Sequence, residues 1–470
     1  MSIRTERKKS MERENLWKSF TKEEEKTLED LCLSYRTCLT EAKTERLFVR
    51  YAVEALQKAG FHDLTTFSKI QTGDRFYATY MGKTLLAGIA GKQALQEGAN
   101  ILGAHIDSPR LDIKQNPLYE KSELAYLDTH YYGGIKKYQW VALPMAIYGV
   151  VAKKDGSLID IAIGDQAGDP VFCVTDILIH LADRQMNKKA GSAVEGEALD
   201  ILIGGRPLAD VPDDKKKEAV KENILALLKE KYDMTEEDFL SAELEVVPAG
   251  PAMDLGLDRS MVIGYGQDDR VCAYTSLRAL TDLGNPDRTA LLILTDKEEI
   301  GSVGASGAHS RFFEDTLAEL LTKAGSDTDL SLRRALRGSF MLSSDVSAGF
   351  DPAYEDCFEA KNAAYLGRGI CYNKYTGARG KSGSNDANAE YMAKIRRVMD
   401  ENRVGYQTSE LGKVDEGGGG TIAYILANYG MNVIDSGVPV LNMHAPWEIT
   451  SKADIYAAYL AYQAFLKDMK

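Results

Sequence analysis

Four apolar runs in this chain, ANILGAHIDS, TALLILTD, SFMLSSD and NVIDSGVPVLNMH, share one design: consecutive core-type residues that stop at an acid or a histidine. A continuous apolar run of strand length, rather than strict alternation, is what a strand covered on both faces requires. Helical stretches separate these runs. DRVCAYTSLRALTDLG places Val271, Tyr274, Leu277 and Leu280 on one face, with Gly284 as its stop. From Thr21 to Gly60 the pattern is helical, opening on a threonine cap followed by three early glutamates. The last helix begins SKAD, a capping-box pattern, and its inward face carries Ile455, Tyr459, Tyr462 and Phe465. Alternation of this kind predicts an α/β class, with a mainly parallel mixed sheet covered by helices.

The segment from residue 111 to 257 departs from that pattern. THYYGGIKKYQWVALPMAIYGVVAKKDGSLIDIAIGD has glycine-marked hairpin strands, and a charged helical run, DDKKKEAVKENILALLKEKYDMTEEDFL, follows it. We read 111–257 as an inserted β-rich domain that interrupts a discontinuous domain of residues 1–110 and 258–470. Two domains also suit a chain of 470 residues, which exceeds the length at which one core keeps growing.

A net charge of −13 argues against nucleic acid as a partner. No stretch of 18 apolar residues is present, so no membrane partner is expected, and the charged start MSIRTERKKSMERENLWKSF lacks the apolar region of a secretory signal. The six scattered cysteines contain no C-x-x-C pair, which fits reduced thiols and a cytoplasmic location.

Open α/β sheets gather function at the carboxyl ends of their strands. There the chain places His105 and Asp107, Asp268 and Asp269, Glu298 and Glu299, Asp345, and His444. Each has a plainer role available: a hydrogen-bonded structural histidine, a helix cap, a solvated loop, a turn residue. Together, two imidazoles and several carboxylates make the mixed nitrogen and oxygen ligand set of Zn²⁺, with Mn²⁺ or Co²⁺ as alternatives. Adjacent glutamates at a strand end repel each other, and a metal pair would offset that repulsion.

GAHIDSPRLDIK, GQDDRV, TDKEEIGSVGASG, SSDVSAGFDP and MHAPWE resemble the aspartyl aminopeptidase/aminopeptidase I family of dinuclear zinc metallopeptidases, in that family's motif order and over essentially the whole chain. The resemblance implies a zinc-exopeptidase-like fold and two Zn²⁺ per subunit. In it, Asp268 bridges both ions, His105 and Asp345 complete one site, and Glu299 and His444 complete the other. Glu298 is then the general base, and Asp107 orients the His105 ring. The peptide bond between Asp268 and Asp269 is cis in related metallopeptidases. The insert pairs subunits, dimers assemble into a tetrahedral dodecamer, and His180 of ILIHLADRQMN reaches a neighbouring active site. Ile106, Asp269, HAPWEIT and KYTGARGKSGSNDANAE depart from the patterns of other members.

The expected activity is release of the N-terminal residue of short peptides. Lys374, Arg379 and Lys381 could pair with an acidic side chain on that residue; a solvated basic loop is the plainer reading, and a neutral, leucine-type preference is the alternative. DEGGGGTIAYI suits either an anion site at a helix start or a tight turn. A carboxypeptidase or amide deacylase could use the same ligands. A non-enzymatic assembly protein or a metal store would not need Glu298.

Overall fold

The computed structural model describes residues 14–164 and 166–470. The charged N-terminal stretch expected to carry no secretory signal lies largely outside them, at residues 1–13. The chain divides into two units. Among the described residues, the first comprises 14–107, 252–443 and 448–470; the second comprises 108–164, 166–251 and the short return 444–447.

The first unit is built on a nine-stranded mixed sheet. We number its four central strands in chain order: β1 (Ala99–His105), β2 (Thr289–Thr295), β3 (Phe340–Ser344) and β4 (Asn432–Gly437). Their spatial order is β2-β1-β3-β4, all mutually parallel, flanked by antiparallel neighbours. The two-residue period of a strand explains their continuous apolar character. Leu102, Leu292, Leu342 and Ile434 pack into one core, and Ile101, Leu291, Met341 and Val433 into the other. Burying each such side chain contributes about 1.5–3 kcal/mol. His105, two positions beyond Gly103 and four beyond Ile101, therefore emerges on the second face at the strand's carboxyl end.

The helical reading of Thr21 to Gly60 holds, and two other local expectations need correction. The helical pattern from Thr21 to Gly60 is two helices, Lys22–Glu41 and Glu45–Lys58. Thr21 and Glu24 form a reciprocal capping box on the first, and Thr44 caps the second. NVIDSGVPVLNMH is likewise two strands: β4 joins the large sheet, whereas Pro439–Leu441 joins a separate five-stranded sheet with Glu448–Ser451. The SKAD sequence forms no capping box. Ser451 makes no side-chain cap on helix Lys452–Asp468. Asp454 instead accepts hydrogen bonds from the backbone of Gly367 (2.6 Å) and Gly369 (2.7 Å). A loop's orphan N–H groups outcompeted the local cap.

The second unit contains a seven-stranded sheet whose pairings are all antiparallel. The charged run forms helix Ala219–Tyr232 between two 3₁₀ turns. Among the described residues no helix is long and apolar enough to cross a membrane, and the six cysteines are free.

Candidate metal centre

His105 ends β1, and its ring is fixed from both sides. Nδ1 lies 3.1 Å from the Asp107 carbonyl oxygen and 3.3 Å from Asp107 Oδ1. Nε2 lies 3.1 Å from Asp268 Oδ1 and 4.0 Å from Asp345 Oδ1. With Nδ1 held by Asp107, Nε2 is the nitrogen left to face the two carboxylates, and it would turn its lone pair to a cation placed between them, the tautomer a metal-bound imidazole needs. Asp107 also braces the glutamate pair. Its Oδ1 and Oδ2 accept the backbone N–H groups of Glu298 (3.1 Å) and Glu299 (3.2 Å). One carboxylate thus holds the ring and the turn in register.

That turn begins beyond β2. Lys297 adopts the left-handed region (φ 69°), and Glu298–Ile300 form a single 3₁₀ turn. Asp296 anchors its base, accepting from Lys297 N (2.8 Å) and Ser306 Oγ (2.6 Å). Burial, with Glu45 and Asp107 adding to it, pushes the Asp296 carboxyl up to about 6. Gly307 is required where the loop closes: a Cβ there would stand 2.2 Å from the Ser302 carbonyl oxygen.

Asp268 lies at the start of helix Gln267–Thr281, and the peptide bond to Asp269 is cis. The helix ends at Thr281, ahead of Gly284, and is buried on nearly every side. Asp268 N donates to Glu448 Oε2 (3.0 Å), while Gln267 Nε2 donates to the Glu448 carbonyl oxygen (2.6 Å). Glu448 is a bracing residue that the sequence reading passed over; its place at the end of MHAPWE, the stretch that supplies His444, was the available signal. Asp345 follows β3 and donates its N–H to the Ser436 carbonyl oxygen (3.0 Å).

The electrostatics of this cluster call for a cation. Burial pushes the Asp345 carboxyl well above the usual range, and the charges of Glu298, Asp268 and Asp269 add to it against His105. Burial alone would pull the His105 imidazole down, but its hydrogen bonds to Asp107 and Asp268 hold it well above its usual value. Ligand atoms of His105, Asp268 and Asp345 all lie within 4.8 Å of one another, and a Glu299 carboxylate oxygen lies within the same distance of Asp268. An imidazole and carboxylates converging in this way fit a zinc ion, which favours nitrogen and oxygen donors at about 2.0–2.2 Å.

Residues 38–466 match the family described as aminopeptidase I zinc metalloprotease (M18). The chain belongs to the M18 family. Among M18 relatives, a probable M18 family aminopeptidase 1 of Clostridium acetobutylicum is 54% identical, over 97% of this chain and 98% of that one. The crystal structure of an M18 aminopeptidase from Thermotoga maritima superimposes with a TM-score of 0.93 at 44% identity, covering 97% of this chain and 99% of that one. The mApe1 dodecamer of S. cerevisiae shares the fold, with a TM-score of 0.75 at 19% identity over 94% and 97% of the two chains. This M18 chain is therefore a zinc metallo-aminopeptidase, a hydrolase of peptide bonds.

The remaining expected residues stand as follows. His444 lies in the return 444–447 that groups with the second unit, where its Nδ1 is 2.7 Å from the Gly134 carbonyl oxygen. His180 is exposed on the 3₁₀ turn Ile179–Leu181. Lys374 and Lys381 both pair with Asp386. Arg379 and Lys381 line a 240 Å³ cavity with Tyr375, Glu410 and Lys413.

Proposed function

We propose that this M18 aminopeptidase holds two zinc ions per subunit and removes the first residue of short peptides in the cytoplasm. The convergence of His105, Asp268 and Asp345, with Glu299 also beside Asp268, carries the reading. His105 and Asp345 would hold one ion and Glu299 and His444 the other, with Asp268 shared between the two sets. His444 lies four residues before Glu448, which braces Asp268, and this supports its place in the set.

Zinc, when bound, polarises the scissile carbonyl and lowers the pKa of water towards neutrality. Glu298 takes the proton from the attacking water and delivers it to the leaving amine, so its carboxylate must remain unligated. Its backbone is held by Asp107, and its charge bears on both His105 and Asp345, as a base beside the reaction centre requires. Asp107 keeps the His105 ring aimed while protons move.

The pocket supports a neutral rather than an acidic first residue. Asp386 already pairs with two of the three basic side chains that acidic selectivity would use. The insert pairs subunits, and dimers form a tetrahedral dodecamer, in keeping with the dodecameric mApe1 structure. His180 then serves a neighbouring subunit's substrate, and its exposure on an apolar turn supports that role.

Hydrolysis of aminoacyl-p-nitroanilides, peptides with blocked N- or C-termini, and zinc content per subunit test this reading. Cleavage should fail when the N-terminus is acetylated and survive C-terminal amidation, with leucyl faster than aspartyl substrates. Cleavage that needs a free C-terminus would make the enzyme a carboxypeptidase, and one zinc per subunit would remove the paired site.

A further inference from the structure

β4 carries a carboxyl that the chemistry above does not use. Asp435 is 1% exposed and pairs in register with Ser343 of β3, two positions before the metal-centre residue Asp345. Its Oδ1 accepts the Thr421 hydroxyl at 2.5 Å, and its Oδ2 is buried with no hydrogen-bond partner. Burial holds this carboxyl up at about 7, with the Thr421 bond opposing. A polar group so deep is costly to keep without a compensating role.

Thr421 indicates what that role is. It ends the run Gly417–Gly420, which has no side chains with which to anchor itself. Gly377 N donates to the Gly419 carbonyl oxygen (2.7 Å), and a Cβ on Gly418 would stand 2.2 Å from the Gly377 carbonyl oxygen. The glycine run is therefore pressed backbone to backbone against the other lip of the 240 Å³ cavity.

Both lips are rooted on β4 and its neighbour Ile370–Asn373. Asn373 pairs in register with Asp435 and opens the first lip, and its Oδ1 accepts from Ser409 Oγ (2.7 Å), where the second lip opens. Asn385 closes the first lip through Nδ2 to the Val433 carbonyl oxygen (2.7 Å). Tyr375 OH donates to Glu410 Oε1 (2.6 Å) across the cavity. The closing end of the second lip hangs on the Thr421–Asp435 pair.

We infer that Thr421 and Asp435 are positioning residues that fix the lips of this cavity and thereby set substrate affinity. The inference rests on the aminopeptidase reading, with the cavity receiving the first side chain.

The test compares wild type, Thr421→Val and Thr421→Ser, as zinc-loaded full-length enzymes, on leucyl-p-nitroanilide. Thr421→Val keeps the shape and removes the hydroxyl; Thr421→Ser keeps the hydroxyl. Expected are a KM raised about tenfold in Thr421→Val with kcat within about threefold, and restoration by Thr421→Ser. Trypsin should also cut Thr421→Val faster at the exposed Arg379, Lys381 and Lys413, with or without zinc. An unchanged KM, a loss confined to kcat, or a Thr421→Ser as impaired as Thr421→Val would overturn the inference. If Thr421→Val does not fold, Thr421→Ala takes its place with the same readouts. Wild-type failure on free-amine substrates would sink the aminopeptidase reading itself, whereas a normal wild type with a normal Thr421→Val sinks only the clamp.

Discussion

The two units solve opposite problems. The first buries charge: His105, Asp107, Asp268, Asp269, Asp435 and Asp454 are all sealed from solvent. The second pairs charges such as Lys188 and Glu195 at its surface and leaves apolar side chains outside, with Ile179 and Leu181 each 69% exposed. Both arrangements are unfavourable for an isolated domain. A buried acid cluster needs a cation or aimed N–H donors. An exposed apolar turn needs another protein surface. The difference teaches where to look for chemistry and where to look for assembly.

The largest effect that could break this contrast is on turnover. Glu298→Gln should lower kcat by about 10²–10⁴-fold while zinc content is unchanged; near-normal turnover would remove Glu298 as the base. Next comes the metal itself. Asp345→Asn should lower zinc, measured by mass spectrometry, from about two equivalents per subunit towards one, and unchanged zinc would mean that the buried acids of the first unit are not there for a metal. On the other side of the comparison, Ile179→Asp should shift the assembly to smaller species in light scattering. If His180 works across subunits, activity per chain should fall with it. An unaltered assembly would show that the exposed turn is no interface.

The smallest effect sharpens the contrast by means of a buried acid that is not one of the metal-centre residues. Burial outweighs the backbone N–H donors of the 367–369 loop and pushes the Asp454 carboxyl up to about 7. Above its unfolded value near 4, the folded chain retains a proton that the unfolded chain has released, so stability falls as pH rises towards 7. Relative to Asp454→Asn, wild-type unfolding free energy in urea should decline over that window, by about 1.4 kcal/mol per pH unit at its steepest. A flat difference would mean that the loop N–H groups hold the carboxylate charged.

Much of the first unit was legible before folding. Its central strands are apolar on both faces, a pattern that few architectures accept, and the ligand-type residues fall where those strands end. Less legible were contacts between distant segments. Asp454 sits at a capping-box position, yet its carboxylate goes to Gly367 and Gly369, because two loop donors in a dry site outweigh one local cap. Glu448 looked like the end of a motif, whereas it holds the backbone of Asp268, 180 residues away in the chain. Even within one stretch, Lys374 and Lys381 read as available to an acidic substrate until the folded loop turned Asp386 towards both.

The sequence alone determined the class of the protein: strand–helix alternation, the ligand types and their order follow from local hydrophobic pattern and residue chemistry, which are written one segment at a time. Only the tertiary structure decided which carboxylates meet, which are braced by backbone N–H groups, and which cations are already paired. Those outcomes depend on distances between segments far apart in the chain, and electrostatic and hydrogen-bond energies are set by those distances and by the burial that accompanies them.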